Sequence, residues 1–402
     1  MNILDKSAIR ECTSCQMCAA VCPKNAITIR LNENGFYRPI VDNELCIDCG
    51  ICVKSCYKFD SNLQTSTERR LSEMLLYSAS AKDSSILLET TSGGVADLLA
   101  HELHNHGYTC VGVVYNSDSN RAEHKIAKTD DDLLAFRGSK YIQSYSLDAL
   151  KMLVQSCKVQ NYAVFGTPCQ IYALDIFLRQ RKCRDKFILV DIFCHGCPSM
   201  LVWNKYHEQI IGRLGKSIGQ KVNFRAKVKS WGWYNITVTD KKKVLFKSTP
   251  KHDEFYTLFF SDQLLNDSCY SCHFRSSLEY TDIRIGDFWG KLYAKDKIGV
   301  SAVCLVTDKG KRIFDSIKVK INYKKHNLSD LLPYQCWNQT FKADLNLRAE
   351  IFSSLKNKNL PIGDSIRILY SHQGLKSKIK RCIKYIAYYS PFDFWFYLKR
   401  FF

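Results

Sequence analysis

The sequence lacks the hydrophobic stretches that direct a protein into or across a membrane. None of its apolar runs approaches the roughly 18 residues that indicate a spanning helix. Residues 1–6 (MNILDK) have no apolar core of a secretory signal, so we expect a cytoplasmic protein. Because that compartment keeps thiols reduced, disulfides are not expected among the 19 cysteines of the 402-residue chain.

Acidic residues are scarce relative to basic ones. The chain has 58 lysines and arginines against 39 aspartates and glutamates, a formal net charge of +19. Such a surplus suits a nucleic acid, an anionic membrane surface or an acidic partner protein. Because the sequence shows no helix-turn-helix or RNA-binding motif, we expect no nucleic-acid partner.

What the sequence does contain is a cysteine pattern that occurs twice within the first 56 residues. Both copies read C-x2-C-x2-C-x3-C; Pro23 follows the first, and Tyr57 takes the corresponding place after the second. This spacing is typical of 4Fe–4S ligands, whereas zinc sites generally use two separated cysteine pairs. The eight residues are Cys12, Cys15, Cys18, Cys22, Cys46, Cys49, Cys52 and Cys56.

The spacing also predicts which cysteines share a cluster. In two-cluster ferredoxins the fourth cysteine of each run binds the cluster of the other run. The first cluster is therefore predicted on Cys12, Cys15, Cys18 and Cys56. The second is predicted on Cys46, Cys49, Cys52 and Cys22.

These patterns divide the chain into a small and a large domain, an α+β fold class. Residues 1–60 are predicted to form the two-cluster ferredoxin domain, with a hairpin turn at Asn34-Gly35. Residues 61–72 are polar and predicted to be a linker. Residues 73–345 predict a mixed α/β domain with strands near 74–79, 108–115, 162–165, 187–193 and 281–285, a meander over 221–248, and helices near 95–106, 147–158 and 199–211.

Residues 346–402 predict a basic, aromatic helical tail. Lysines and arginines at 376–384 alternate with isoleucines, and aromatic residues cluster at 392–397. One interpretation is a helical extension that packs on the body of the protein. The other is an amphipathic anchor making peripheral contact with the anionic inner face of a membrane.

Four later cysteines form a second candidate metal site. Cys169 and Cys194 each follow a predicted buried strand, and strand ends are where open α/β sheets place their sites. Cys269 and Cys272 form a CxxC pair, so the four thiolates suffice for a third cluster or for zinc. Cys197 is a spare candidate ligand.

Two glycine loops are candidate phosphate-binding segments. Residues 91–94 (TSGG) precede a predicted helix, whose free N–H groups attract anions, although the same pattern also serves as a simple helix cap. Residues 137–141 (RGSKY) place cations beside a glycine turn, and the alternative there is an ordinary polar loop.

Six short motifs in this order resemble the coenzyme F420 hydrogenase/dehydrogenase beta-subunit family. They are SGG (92–94), GSKY (138–141), GTPCQ (166–170), DIFCHG (191–196), CYSC (269–272) and GDFWG (286–290). The resemblance covers residues 73–345, and a ferredoxin module is a common N-terminal fusion in that family. It implies a third 4Fe–4S cluster on Cys169, Cys194, Cys269 and Cys272. It also implies a larger domain that binds FAD through Ser92, Gly93, Gly94, Gly138, Ser139, Lys140, Gly286 and Asp287.

The resulting expectation is an iron–sulfur flavoprotein oxidoreductase. It would pass electrons between an organic hydride carrier, such as F420 or a metabolite, and the clusters, with a redox protein or small hydride carrier as partner. The alternatives are a ferredoxin-fed reductase of a polysaccharide-biosynthesis intermediate and a non-enzymatic relay subunit of a larger complex. His195 and Lys140 are candidate acid catalysts. The alternative interpretation is a structural hydrogen bond for His195 and a phosphate contact for Lys140.

Overall fold

The fold is taken from a computed structural model. It describes residues 1–61, 63, 71–214, 221–228, 230–240, 243–249 and 253–389. The linker prediction and the aromatic end of the tail therefore fall largely outside the described residues. Within those residues, no helix combines the length and apolar character that a membrane-crossing segment requires.

The described chain contains fourteen strands. They are β1 (Ile27–Leu31), β2 (Tyr37–Val41), β3 (Leu75–Ala81), β4 (Thr109–Asn116), β5 (Arg121–Ile126), β6 (Ser144–Tyr145), β7 (Tyr162–Phe165), β8 (Phe187–Ile192), β9 (Lys221–Asn223), β10 (Thr237–Asp240), β11 (Lys243–Lys247), β12 (Ile283–Asp287), β13 (Ser301–Leu305) and β14 (Ile321–His326). The α-helices are Met17–Ala20, Ile51–Lys54, Ser84–Glu89, Val95–Asn105, Asp130–Ala135, Leu147–Ser156, Pro168–Gln180, Met200–Leu214, Glu254–Phe259, Asp267–Tyr270, Asp308–Ile317, Leu345–Lys356, Ile362–Ser371 and Leu375–Tyr389.

The N-terminal module is built from the repeat that the sequence shows. Strands β1 and β2 form the predicted antiparallel hairpin, and Gly35 adopts φ +74° in its turn. Each cysteine run leads into a four-residue helix, Met17–Ala20 in the first and Ile51–Lys54 in the second. The residues before these helices, Gln16 and Gly50, both have left-handed backbones, so the two halves fold alike.

A nine-stranded mixed sheet organises the larger domain. Its strand order is β14-β3-β13-β12-β8-β7-β4-β5-β6. The inner strands β12, β8, β7 and β4 run parallel, whereas β13, β3 and β14 continue one side antiparallel. A separate antiparallel meander, β9 to β11, confirms the three-stranded prediction for residues 221–248. The mixed α/β prediction is therefore confirmed.

Helices cover both faces of this sheet because its inner strands are apolar on both sides. Ile188 and Val190 of β8 pack beneath the helices Val95–Asn105 and Asp308–Ile317. The alternate residues Phe187 and Leu189 face the opposite side. There they share one buried cluster with the helix Pro168–Gln180 and with the helix Met17–Ala20 of the N-terminal module.

Two glutamines fasten the N-terminal module to the sheet domain. The side-chain oxygen of Gln16 accepts hydrogen bonds from the N–H groups of Ser146 (2.9 Å) and Leu147 (3.0 Å), at the start of the helix Leu147–Ser156. Gln143 accepts a bond from the Tyr37 N–H and donates to the Gly35 carbonyl at 2.7 Å. Because both glutamines are buried, these bonds fix the module in one orientation.

The region that the sequence assigned to a tail contributes in part to the core. Ile351 and Ile362, on the helices Leu345–Lys356 and Ile362–Ser371, are fully buried beside the helix Met200–Leu214. The last described helix, Leu375–Tyr389, extends beyond this packed region and carries exposed Leu375 and Ile386.

Candidate functional site

The structure gathers the first predicted ligand set around one cavity, here called the inner site. Its lining includes all four of these residues, Cys12, Cys15, Cys18 and Cys56. The cavity has a volume of about 400 Å³ including its open side. Cys56 comes from the second run, so the fold produces the crossed grouping that the ferredoxin spacing predicts.

The second predicted set lines a separate cavity, here called the outer site. Its lining includes Cys22, Cys46, Cys49 and Cys52. The volume is about 330 Å³ including its open side, and Cys49 is exposed to solvent. The outer site therefore reaches the surface at Cys49, while its Cys52 is buried like Cys15 and Cys18 of the inner site.

Two buried thiols of the inner site, Cys15 and Cys18, disfavour the charged form. Burial raises the pKa of Cys15 to about 11 and that of Cys18 well above its usual range. The neighbouring thiols of Cys15, Cys12, Cys56 and Cys52 raise the pKa of Cys18 further. Since Cys52 belongs to the outer site, the inner and outer sites are adjacent.

The other four predicted cysteines meet where strands β7 and β8 end. These strands are parallel neighbours, so the loops that follow them emerge at one edge of the sheet. Cys169 is the second residue of the helix Pro168–Gln180, with its Sγ 3.3 Å from the Thr167 hydroxyl. Cys194 lies in the loop after β8.

A second loop brings the CxxC pair to the same edge. The Cys197 N–H donates to the Sγ of Cys269 at 3.4 Å, and the Asn266 N–H donates to the Cys197 carbonyl at 2.9 Å. An isolated bridge between Pro198 and Leu265 joins the same two segments. Together these contacts hold Cys269 beside the loop that carries Cys194.

Thiols among the four cysteines, here called the third site, raise one another's pKa values. Burial raises the pKa of Cys194 to about 12, and the thiols of Cys269 and Cys272 are the next contributors. Burial likewise raises the pKa of Cys169 well above its usual range, with further contributions from Cys194, Cys15 and Cys269. Cys15 belongs to the inner site, so the third site is adjacent to the inner site.

Five thiols gather here rather than four. Burial raises the pKa of Cys197, followed by repulsion from Cys269, Cys194 and Cys169. Yet among the described residues, no three His, Cys, Asp or Glu side chains are close enough to hold a single metal ion.

Tyr57, at the position of the missing second proline, lies between the inner and third sites. It is buried, and its ring packs on Phe274 at 4.9 Å and on Tyr172 at 6.5 Å between centroids. The Arg10 guanidinium lies 5.3 Å from the ring centroid. Burial raises the pKa of Tyr57, and Cys272 is the next contributor. The tyrosine thus packs the ferredoxin module against the segment that follows Cys272.

The two predicted flavin loops also meet. The Ser139 N–H donates to the Thr91 hydroxyl at 2.8 Å. A side chain at Gly93 would come within 2.2 Å of the Ala79 carbonyl, so this glycine is required for packing against β3. Gly138, in contrast, has φ +80° and open space where a side chain would stand.

Both candidate acid catalysts make structural contacts. Lys140 donates to the carbonyls of Ala135, Phe136 and Arg137 at 2.9–3.1 Å, at the C-terminal end of the helix Asp130–Ala135. Burial lowers its pKa to about 7.

The ring of His195 lies 2.6 Å from Asp262 through Nε2 and 3.4 Å from the Cys336 Sγ through Nδ1. Burial lowers the pKa of His195, but these two hydrogen bonds outweigh it and raise the value to about 9. The structure thus places a carboxylate on one ring nitrogen and a thiol on the other.

The third predicted wall of the flavin site contains a buried ion pair that the sequence did not reveal. Gly286 packs against Phe193, and Asp287 accepts a 2.5 Å bond from the buried Arg225. Nearby, Lys227 donates to the Ser92 carbonyl at 2.7 Å. Arg225 is 62 residues from Asp287, so no local sequence signal links them.

An aromatic pair lies beside this ion pair. Trp231 and Trp289 stack with centroids 4.7 Å apart and an interplanar angle of 6°. The Arg225 guanidinium contacts both rings, at 5.8 Å from Trp231 and 5.2 Å from Trp289. Trp289, the tryptophan of the GDFWG motif, therefore packs with Trp231 against the Arg225 guanidinium.

Three family models match the chain. Residues 11–58 match the family model for a 4Fe-4S dicluster domain. Residues 76–151 and 159–330 match the N-terminal and C-terminal models of the coenzyme F420 hydrogenase/dehydrogenase beta subunit.

Two similar curated proteins are subunits of enzymes named for F420. The chain is 23% identical to one subunit of the F(420)H(2) dehydrogenase of Methanosarcina mazei over 314 residues, 74% of this chain and 82% of the relative. It is 29% identical to the beta subunit of the coenzyme F420 hydrogenase of Methanococcus voltae over 123 residues, 29% of this chain and 44% of the relative.

A solved relative is a chain of the F420-reducing NiFe hydrogenase complex from Methanosarcina barkeri. The TM-score is 0.45 at 18% identity, covering 75% of this chain and 92% of that chain. The family models, by contrast, span most of the sheet domain, and the C-terminal model includes all four cysteines of the third site. The chain belongs to the coenzyme F420 hydrogenase/dehydrogenase beta-subunit family and carries an N-terminal 4Fe–4S dicluster domain.

Proposed function

We propose that this protein is the iron–sulfur and flavin subunit of an oxidoreductase that exchanges electrons between reduced or oxidised coenzyme F420 and a redox partner. The observation that carries the proposal is the row of three cysteine sites. Cys169 of the third site neighbours Cys15, and Cys18 of the inner site neighbours Cys52. Clusters in this row would form a continuous path from the sheet domain to the surface.

The cysteine sites fit 4Fe–4S clusters by their donor set and by their cavities. The inner and outer cavities are each lined by four cysteines with the ferredoxin spacing. The third site has four cysteines on three segments, and a hydrogen bond between Cys197 and Cys269 joins two of these segments. In each case the protein would supply thiolates, and cluster binding would displace the thiol protons.

We place FAD next to the third site, at the loops 91–94 and 138–140. The supporting observations are the contact between these loops, the open space at Gly138 and the cationic Lys227 at the Ser92 carbonyl. A bound flavin supplies the exchange between a two-electron hydride and single electrons. The chain itself supplies a rigid sheet edge, the cations Arg225 and Lys227, and the aromatic Trp231–Trp289 pair.

The outer site is the proposed point of contact with a partner protein. Cys49 is exposed, and Leu45 and Ile47 beside it are 51% and 60% exposed. Among the four cysteines of the inner site none is exposed, and Cys15 and Cys18 are buried. A partner would therefore exchange electrons at the outer site.

The proposal is tested by anaerobic reconstitution with iron, sulfide and FAD. The protein should take up FAD, release it on denaturation, and show reduction of its clusters when reduced F420 is added. NADH at the same concentration serves as the control hydride donor. A folded protein that takes up no FAD, or whose clusters respond equally to both donors, would contradict the proposal.

A further inference from the structure

The hydroxyl of Ser55 is buried at the inner site without a hydrogen-bond partner. The residue is 1% exposed, and its Oγ makes no hydrogen bond among the described residues. It lines the cavity that Cys12, Cys15, Cys18 and Cys56 surround. Because burying an unpaired hydroxyl costs free energy, native proteins rarely keep one unless something else fills the role of partner.

The backbone fixes this hydroxyl in place. Ser55 ends the helix Ile51–Lys54, and its N–H donates to the Ile51 carbonyl at 3.2 Å. It stands between two cysteines, Cys52 and Cys56. Its only freedom is therefore rotation of the side chain, and the hydroxyl cannot leave the cavity wall without unwinding the helix end.

The internal repeat provides a natural comparison. Cys22 and Cys56 are equivalent in the two runs, so the residue equivalent to Ser55 is Val21. Val21 is also buried, but its side chain has no donor. The two ferredoxin sites therefore differ in one hydrogen-bond donor at an otherwise equivalent position.

We propose that Ser55 donates its hydroxyl proton to a sulfur of the inner cluster and raises the reduction potential of that cluster above the value it would otherwise have. The inference rests on the proposed cluster sites. Hydrogen bonds to cluster sulfurs are among the factors that set the potential, and a donor stabilises the more negative, reduced form. Val21 leaves the outer cluster without this contribution, so Ser55 separates the potentials of two clusters that the repeat would make alike.

A matched pair of variants separates the effect of the hydroxyl from the effect of side-chain shape. Threonine and valine have nearly the same volume, but only threonine keeps the hydroxyl. The assay is an anaerobic redox titration followed by electron paramagnetic resonance. Ser55→Val should make reduction of one cluster about tenfold less favourable, which lowers its reduction potential by about 59 mV for a one-electron couple. Ser55→Thr should keep the native potential, and the other clusters should be unchanged in both variants.

Two results would overturn the assignment. One is an unchanged potential in Ser55→Val, and the other is an equal shift in both variants, which would show an effect of shape. Electron–nuclear double resonance in heavy water gives a second measure: an exchangeable proton coupled to the inner cluster should vanish in Ser55→Val only. The iron content of the protein tests the proposed function separately. A protein without the third cluster would contain less iron, but the comparison of the two Ser55 variants would still be valid.

A second unpartnered donor lies at the third site and rests on a different observation. Arg275 is 6% exposed; it donates to the His195 carbonyl at 2.7 Å and to the Gln339 carbonyl at 3.3 Å, yet its Nε–H has no partner among the described residues. The Phe341 ring lies 4.2 Å beneath its guanidinium.

We infer that the Nε–H of Arg275 donates to the third cluster. Arg275 lies three residues after Cys272 and is bonded to the carbonyl of His195, the residue after Cys194, so its guanidinium lies beside two of the predicted ligands. Arg275→Gln should lower the reduction potential of the third cluster, so that its reduction becomes about tenfold less favourable. Arg275→Lys should lower the potential less, because the charge remains. An unchanged third cluster in Arg275→Gln, or a shift confined to the ferredoxin clusters, would refute this assignment.

Discussion

Replacing Tyr57 tests whether the ferredoxin module is held in place by packing at the junction between the inner and third sites. Tyr57 is 2% exposed and lies among Phe274, Tyr172 and Arg10. Truncating a buried aromatic side chain to alanine typically costs about 3–5 kcal/mol, because the cavity only partly collapses. We therefore expect Tyr57→Ala to destabilise the docked module by about 3–5 kcal/mol.

Two further variants make this prediction specific. Tyr57→Phe keeps the ring and should cost less than about 1 kcal/mol. Tyr57→Pro restores the ferredoxin motif but leaves the same gap, so it should behave like alanine. The assay is anaerobic urea unfolding followed by cluster absorbance, together with the rate at which the ferredoxin clusters are reduced through the sheet domain. If Tyr57→Ala unfolded at the urea midpoint of the native protein, or if Tyr57→Pro were more stable than Tyr57→Phe, the packing argument would be wrong.

Three further predictions concern other regions. Gln16→Met keeps the side-chain length but removes its hydrogen bonds, and should cost about 1–3 kcal/mol in the same urea assay, with Gln16→Glu in between. Burial lowers the pKa of His124 to about 4. Between that value and about pH 6.5 the unfolded histidine binds a proton and the folded one does not, so the free energy of unfolding should fall by about 2 kcal/mol between pH 7 and pH 5. His124→Gln should flatten this pH dependence. A chain ending at residue 374 keeps the packed helix Ile362–Ser371 and should lose salt-sensitive co-sedimentation with anionic vesicles; equal binding by both chains would leave the tail as a packing element.

Local spacing made several elements predictable. The cysteine repeat indicated the crossed grouping of cysteines around two cavities because a cluster would constrain residues two and three apart. The turn at Gly35 was readable because it requires a positive φ. Strands β7 and β8 were readable as short apolar runs that end before a proline or glycine segment. Their prediction was confirmed to within a residue.

The elements that the sequence did not reveal depend on distant partners. Strand β14, INYKKH, is mostly exposed and too polar to resemble a strand, and it exists because β3 pairs with it. The departure at Tyr57 looked minor in the motif, yet its importance comes from Tyr172 and Phe274, more than a hundred residues away. Arg225 and Ser55 likewise acquire their roles only when the fold places Asp287 or a cavity beside them.

The most direct test of the three-cluster row is an iron count on the anaerobically reconstituted protein. Wild type should hold about twelve irons per chain, and Cys272→Ala should hold about eight while keeping both ferredoxin signals. Cys197→Ala and the exposed Cys382→Ala are matched controls and should keep about twelve. Wild type with about eight irons, or Cys272→Ala with about twelve, would contradict the third cluster and the path built on it.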